Sequence, residues 1–450
     1  MLLTYVQILP SGQQPAPGLA LAPFRGLRYA QDRVSGLAEV TSPPYDVIAQ
    51  DVAAQLRAAD PHNVVRLILP RHDAGNPGDA YGDAAQLFRD WQEQGILLPD
   101  PQPALYVYEQ ALRGGQVLQR GLIGALRLTP LDAGSVLPHE DVMPGPVAGR
   151  RQLMEAAGAN LEPIFLLYDG DGADGAASRL VAQVAGGRPP LMTVDTDDGI
   201  RHRLWALTDP AEQAAVAADL ASRQALIADG HHRYAAYLQL QARKRANGQD
   251  GSGRPAHLAP WDAGLALLVD SQSFPPHIGA IHRVIPGLSA PEAAQRARAA
   301  FAVRPLPEPL VHDPDGIMDV LREAGGVAFV VAGGGEAHLL TDPDPRQAEA
   351  AMPDRSARWR GLSASVLQEL LLAHVWGIQD DESSVQVHHD AAGALRAAGR
   401  PPGGTAVLCP PLAAADVYAI AAHGERVPRK STSFAPKPRS GLVLRSFAYG

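Results

Sequence analysis

Cysteine is almost absent from this chain of 450 residues. Cys409 stands alone, so no intrachain disulfide can form, and the expected compartment is a reducing one, the cytoplasm. A basic excess is missing too. Lys and Arg number 39 against 48 Asp and Glu, for a formal net charge of −9. That balance weighs against wrapping duplex nucleic acid, because counterion release needs a basic face. No helix-turn-helix with a basic recognition helix is evident either, although a local basic pocket remains compatible with the composition. Apolar runs stay well short of the roughly 20 residues that span a bilayer, so no membrane partner is expected. The opening "MLLTYVQILPSGQQ" has no positively charged leader and is interrupted by Thr4, Gln7 and Pro10. A secretory signal is therefore not expected, and the oligomeric state has no signature in the sequence.

What the chain does contain is apolar material for a large core: 46% hydrophobic and 19% charged residues read as globular. Its length exceeds what one core usually serves. Strand and helix patterns alternate from end to end, which predicts an α/β protein of mixed α+β character. "NVVRLILP" and "IFLLY" read as strands and "AYGDAAQLFRDWQEQG" as a helix. "ALYVYEQALR" and "VLQRGLIGALRLTP" read as a hairpin through Gly114-Gly115. Asp209 followed by Pro210 and Glu212 marks a helix start. "QALIAD" reads as a buried strand, and a helix follows it as far as Asn247-Gly248. Beyond Leu288 the pattern continues with strand "VAFVVAG", helix "SASVLQELLLAHVWG", strand "SVQVHH" and strand "TAVLCP". Three regions are expected: an N-terminal α/β region over 1–105, a central domain over 106–288, and a C-terminal α/β region over 289–450.

The chemistry concentrates in "LIADGHHRYAAYLQL". A strand turning through Asp229-Gly230 into a helix leaves the first amide N–H groups of that helix unpaired and presents its positive end. Gly230 lets the backbone approach a phosphate, Arg233 can grip two oxygens, and His231 and His232 can donate or accept protons near neutral pH. The bland alternative is an Asp229 cap with solvated first-turn histidines. A metal site is not expected, because adjacent histidines diverge on a helix. "HEDVM" at His139 and Glu140 likewise lacks a zincin's second histidine, and "DGDGADGAA" lacks the distal glutamate of a calcium loop. The C-terminal "KSTSFAPKPRSG" offers Lys430, Ser431, Thr432 and Lys437 to phosphate oxygens, the alternative being a solvated basic tail. Asp46 in "PPYDVI", Glu109 in "YVYEQ" and Glu140 in "PHED" are candidate carboxylates for proton transfer. Arg28, Arg150 and Arg151 could pair with these acids or bind an anionic substrate.

Taken together, "PFRGLR", "PPYDVI", "NVVRLILP", "YVYEQ", "GLIGALRL", "PHE", "IADGHHRYAAYL" and "PRKSTSFAPKPRSGLVL" resemble, nearly end to end, the family catalogued as domain of unknown function 1015. Asp229 to Tyr234 also resembles the phosphate-gripping box of the ParB and sulfiredoxin superfamily, most closely that of the free-serine kinases. The fold this implies is a ParB/sulfiredoxin-like core elaborated by mixed-sheet α/β regions. A sulfiredoxin carries a catalytic cysteine at the position of His231, so sulfinic acid repair is excluded here. The resemblance implies a nucleotide-dependent phosphotransferase, using magnesium with ATP or ADP, that acts on a small hydroxylated metabolite such as free serine or phosphoserine. Asp229, His231, Glu140 and Asp46 are then the catalytic candidates, and Gly230, His232, Arg233, Lys430, Ser431, Thr432 and Lys437 would bind phosphate. Arg28, Glu109, His139 and Arg151 would contact substrate. The competing expectations are a nucleotide-binding regulator of ParB type and a phosphate-ester hydrolase with His231 as general base.

Overall fold

The structure, a computed structural model, describes residues 17–71, 79–248, 259–381, 383–401 and 403–449. It forms two compact units. One comprises the described parts of residues 1–137, 143–274 and 438–450, and the other residues 138–142 and 275–437.

The first unit is built on a nine-stranded mixed sheet. Its strands are β1 (Leu21–Ala22), β2 (Leu105–Leu112), β3 (Val117–Arg127), β4 (Val136–Leu137), β5 (Ile164–Tyr168), β6 (Met192–Asp195), β7 (Ile200–Leu207), β8 (Ala225–Asp229) and β9 (Ala263–Asp270). Their order is β4-β8-β5-β9-β3-β2-β7-β6, with β1 also pairing along β3. β8 runs parallel to β4, β9 runs parallel to β5, and the other pairs are antiparallel. Every residue of β5, β8 and β9 is buried. Both faces are therefore covered, which is why these strands read as continuous apolar runs.

Four helices matter for the site: α1 (Ala80–Glu93), α2 (Pro144–Ala157), α3 (Ala176–Gly187) and α4 (His231–Ala246). Tyr234, Tyr237 and Leu240 follow helical spacing on α4 and pack with Ile164, Leu166, Ile227 and Leu268 of the sheet. A second core gathers Val64, Leu67, Phe88, Trp91, Leu153 and Leu161 with Leu27 and Leu444. Leu27 and Leu444 exchange backbone hydrogen bonds of 2.9 Å, which ties the C-terminal segment into this unit.

The predicted hairpin, β5, β8, α1 and α4 are all present. The segment "NVVRLILP" is not a strand. Val65–Ile68 is a helical turn, because the Asn63 carboxamide oxygen accepts the Val65 amide at 2.9 Å and its Nδ2 donates to the Glu39 carbonyl at 2.6 Å. An apolar run this short suits a buried turn as well as a strand, and the Asn63 side-chain bonds decide between them.

The second unit carries a six-stranded antiparallel sheet of β10 (His282–Pro286), β11 (Ala302–Pro305), β12 (Phe329–Gly333), β13 (Glu336–Thr341), β14 (Gln386–His388) and β15 (Gly404–Leu408). The order is β11-β13-β12-β15-β10-β14. Its core joins Val284, Val330, Leu339 and Leu408 to Ile317, Leu321 and Ala394 of the covering helices. The segment predicted as helix "SASVLQELLLAHVWG" winds in wide π turns over Val366–Trp376. No helix among the described residues is long and apolar enough to cross a membrane.

Candidate functional site

In the first unit, β8 passes through Gly230 into α4. Gly230 has φ 96°, and a Cβ there would lie 2.9 Å from Ile164 Cγ2 and 3.2 Å from Arg233 Nε. Only glycine suits both the left-handed backbone and that close approach. His231 is buried in the first turn and His232 is half-buried. His232 Nε2 accepts the amide of Met143 at 3.1 Å, which leaves Nδ1 as the protonated nitrogen of the neutral ring. Met143 is the N-cap of α2, so this bond brings the positive ends of α2 and α4 side by side.

Behind these helix ends lies a buried charge cluster. Arg233 pairs with Asp229 at the end of β8 and donates from Nη1 to the Pro163 carbonyl at 2.6 Å. Its Nε is buried and makes no hydrogen bond among the described residues. Tyr45 sits between two guanidinium groups, with Arg150 at 4.1 Å and Arg233 at 5.7 Å from its ring centroid. Glu162 accepts the Tyr45 amide at 3.0 Å and the Ser440 hydroxyl at 3.1 Å, and lies 3.9 Å from Arg150. Burial pushes the Glu162 carboxyl above its ordinary range, against the pull of Arg233 and Arg150. Burial works against the charge on Arg233 as well, yet Glu162, Asp46 and Tyr45 together hold its pKa above the usual value. Asp46 is exposed on the turn after Pro44, and its charge acts on Arg233, Tyr45 and Glu162.

Asp46, Asp229, Gly230, His231, His232 and Arg233 thus share one neighbourhood with Arg150, while Tyr45 and Glu162 are members that sequence reasoning missed. The one local signal for Glu162 is an acid placed beside a proline immediately before a wholly apolar strand. Other candidates in this unit lie in structural pairs. Arg28 is bound to Asp100, with Nε at 2.9 Å from Oδ1. Glu109 is fully buried on β2, where Arg120 of β3 and Arg203 of β7 lie opposite and reach it through Nε at 2.7 Å each. Arg151 pairs with Glu155 one turn along α2 at 2.8 Å.

In the second unit, the Thr432 hydroxyl donates to Glu140 at 2.8 Å and meets His139 Nε2 at 2.8 Å, with His139 fully buried against Phe434. Since that hydroxyl donates to the carboxylate, His139 Nε2 is the donor to its oxygen. Ser431 donates to the Pro428 carbonyl. Lys430 is exposed with a left-handed φ of 54°, and Lys437 is half-buried. Among the described residues, no group of three or more His, Cys, Asp or Glu is placed to hold a metal ion.

The profile of a family described as protein of unknown function (DUF1015) matches residues 21–365. No curated protein matches the chain. Among solved structures, a free serine kinase variant in complex with ADP is 13% identical, with 70% of this chain and 87% of that chain covered and a TM-score of 0.33. SbnI with a C-terminal truncation, from Staphylococcus aureus, is 13% identical over 72% of this chain and 88% of that one, with a TM-score of 0.35. A conserved hypothetical protein from Pyrococcus furiosus is 12% identical over 72% and 95%, with a TM-score of 0.32.

Proposed function

The chain belongs to the DUF1015 family, described as proteins of unknown function, and from its own geometry we propose that it is a nucleotide-dependent phosphotransferase acting on a small hydroxylated metabolite. The observation that carries the reading is the convergence of the α2 and α4 N-termini at Gly230, over the buried Arg233 and the half-buried Arg150 and beside the exposed carboxylate of Asp46. Two helix ends and two guanidinium groups make a positive field suited to a polyphosphate. The likeness of Asp229–Tyr234 to a phosphate-gripping box supports the same placement.

In this reading the phosphates of ATP or ADP lie against Gly230 and the first turn of α4. Arg233 acts from below: it fixes Asp229 and the turn, and adds charge at close range. Asp46 accepts the proton of the acceptor hydroxyl as that oxygen bonds to phosphorus, and the bond from phosphorus to the nucleotide oxygen breaks. Phosphoryl transfer depends on positioning and charge neutralisation more than on covalent chemistry, and these groups supply both. Magnesium would arrive on the nucleotide, where it neutralises phosphate charge.

The test is incubation with magnesium, ATP or ADP and a panel of hydroxylated metabolites including serine, with products followed by mass spectrometry. Asp46→Asn, at an exposed position that should leave the fold intact, is expected to lower turnover by roughly 10²- to 10⁴-fold, the usual worth of a general base. Undiminished turnover would remove Asp46 from the chemistry. Nucleotide bound tightly but never consumed would favour a regulator, and phosphate released to water alone would favour a hydrolase.

A further inference from the structure

The first unit holds a cavity of about 450 Å³ at the far end of its sheet from Gly230. Asp229 pairs with Phe165 near the start of β5, whereas the cavity opens where β5 and β9 end side by side, with Tyr168 opposite Asp270. Its apolar wall comes from Leu122, Val181, Leu268 and Phe274, and two guanidinium groups stand at its edge, Arg120 of β3 and Arg179 of α3.

Which charge a ligand should carry follows from how these groups are already occupied. Asp270 is saturated: Oδ1 accepts the amides of Gly170 at 3.0 Å and Gln272 at 2.9 Å, and Oδ2 accepts the hydroxyls of Ser178 at 2.7 Å and Ser273 at 2.8 Å. Each carboxylate oxygen takes about two donors, so no lone pair is left for a ligand's ammonium. Burial opposes the charge on Asp270, but these donors hold its carboxyl below the usual range. The arginines are not saturated. Arg120 uses Nε and Nη2 on Glu109, and its Nη1 makes no hydrogen bond among the described residues. Glu109 serves Arg203 as well, so one carboxylate balances two guanidinium groups. Arg179 donates only to the Asp174 carbonyl and forms no ion pair among the described residues.

We propose that this cavity binds a small carboxylate with an uncharged branched-aliphatic or aromatic body, its carboxylate at Arg120 and Arg179 and its body against Leu122, Val181, Leu268 and Phe274. The volume is that of a small-molecule site, and an apolar pocket with a few convergent polar groups is the usual form of one. The site is separate from the phosphotransferase reading and stands or falls without it.

The test is calorimetric titration of the full chain with 4-methylpentanoate and 3-phenylpropanoate, alongside their primary amides and the amino acids leucine and phenylalanine. Saturable binding of the acids is expected, with the amides weaker by about tenfold, the usual worth of one charge-assisted hydrogen bond. Arg179→Ala removes an exposed guanidinium, and Ala182→Trp fills the cavity from an exposed wall position. Each should weaken the acids by about tenfold or more with thermal unfolding unchanged, whereas Asp46→Asn should bind them like the native chain. Equal binding of acids and amides, native-like binding by Arg179→Ala, or no saturable heat would each overturn the proposal. Tighter binding of leucine than of 4-methylpentanoate would also do so, because it would make Asp270 a ligand group.

Discussion

Arg233 shows how a residue can be legible in kind and not in direction. Its place after Gly230 suggests a guanidinium held out to phosphate, yet the side chain is buried against Asp229, the Pro163 carbonyl and Tyr45. Removing one partner of a buried pair leaves the other charge uncompensated, so Arg233→Ala is expected to cost about 3–5 kcal/mol of stability. Urea unfolding checks this, and an unchanged midpoint would return Arg233 to a purely ligand-facing role. Gly230→Ala is expected to lose about 1–3 kcal/mol, from the left-handed backbone and the contact with Ile164. Glu162 has a raised pKa from burial, so its contribution to stability is full below the ordinary carboxylate range and is lost as pH rises through the folded value. Glu162→Gln should therefore flatten the fall in stability from mildly acidic toward neutral pH, measured as urea midpoints against pH. Asp229 and Gly230 were readable because turn chemistry is local. Glu162 was not, because its partners Tyr45 and Ser440 lie 117 and 278 positions away in the chain.

Elements whose signals are local came through the sequence clearly. The turn at Gly114-Gly115 and the alternating strands around it specify the β2–β3 hairpin, and Asp209 with Pro210 starts its helix with a side-chain cap at 2.7 Å to the Ala211 amide. Val65–Ile68 failed as a strand because its three apolar residues, Val65, Leu67 and Ile68, fit two periods equally, and Asn63 settles the matter from outside the run. Asn63 is fully buried, and its carboxamide bonds both the Val65 amide and the Glu39 carbonyl. Asn63→Ala is accordingly expected to lower stability by about 1–3 kcal/mol, the usual cost of leaving buried hydrogen-bond partners unsatisfied. A urea midpoint unchanged from native would show that packing of Leu67 and Ile68 alone holds the turn. Glu109 illustrates a related limit. Its place on a strand beside an apolar run looks like a substrate carboxylate, but only the pairing of β2 with both β3 and β7 reveals two arginines directly opposite it.

Which segments share a unit depends on pairings such as Leu27 with Leu444, which no local pattern encodes. The two units do share one chemical property, a neutral histidine buried in each. In the first, His202 Nδ1 meets the Tyr108 hydroxyl at 2.8 Å, and burial, with Arg439 nearby, lowers its pKa to about 3. In the second, His282 Nδ1 accepts the Cys409 amide at 3.1 Å, and burial lowers its pKa to about 4 against the pull of Asp390. A histidine depressed below its ordinary 6.5 contributes stability that is present above 6.5 and is lost as pH falls toward the folded value, because the unfolded chain takes up the proton first. Stability should thus decline between pH 6.5 and about 4 with both residues contributing. His202→Gln and His282→Gln should each reduce that slope. Because the two rings lie in separate compact units, the double variant should show the sum of the single effects. Urea unfolding at closely spaced pH values measures the slopes. A double variant no flatter than either single one would mean that the two titrations are coupled and their effects do not add.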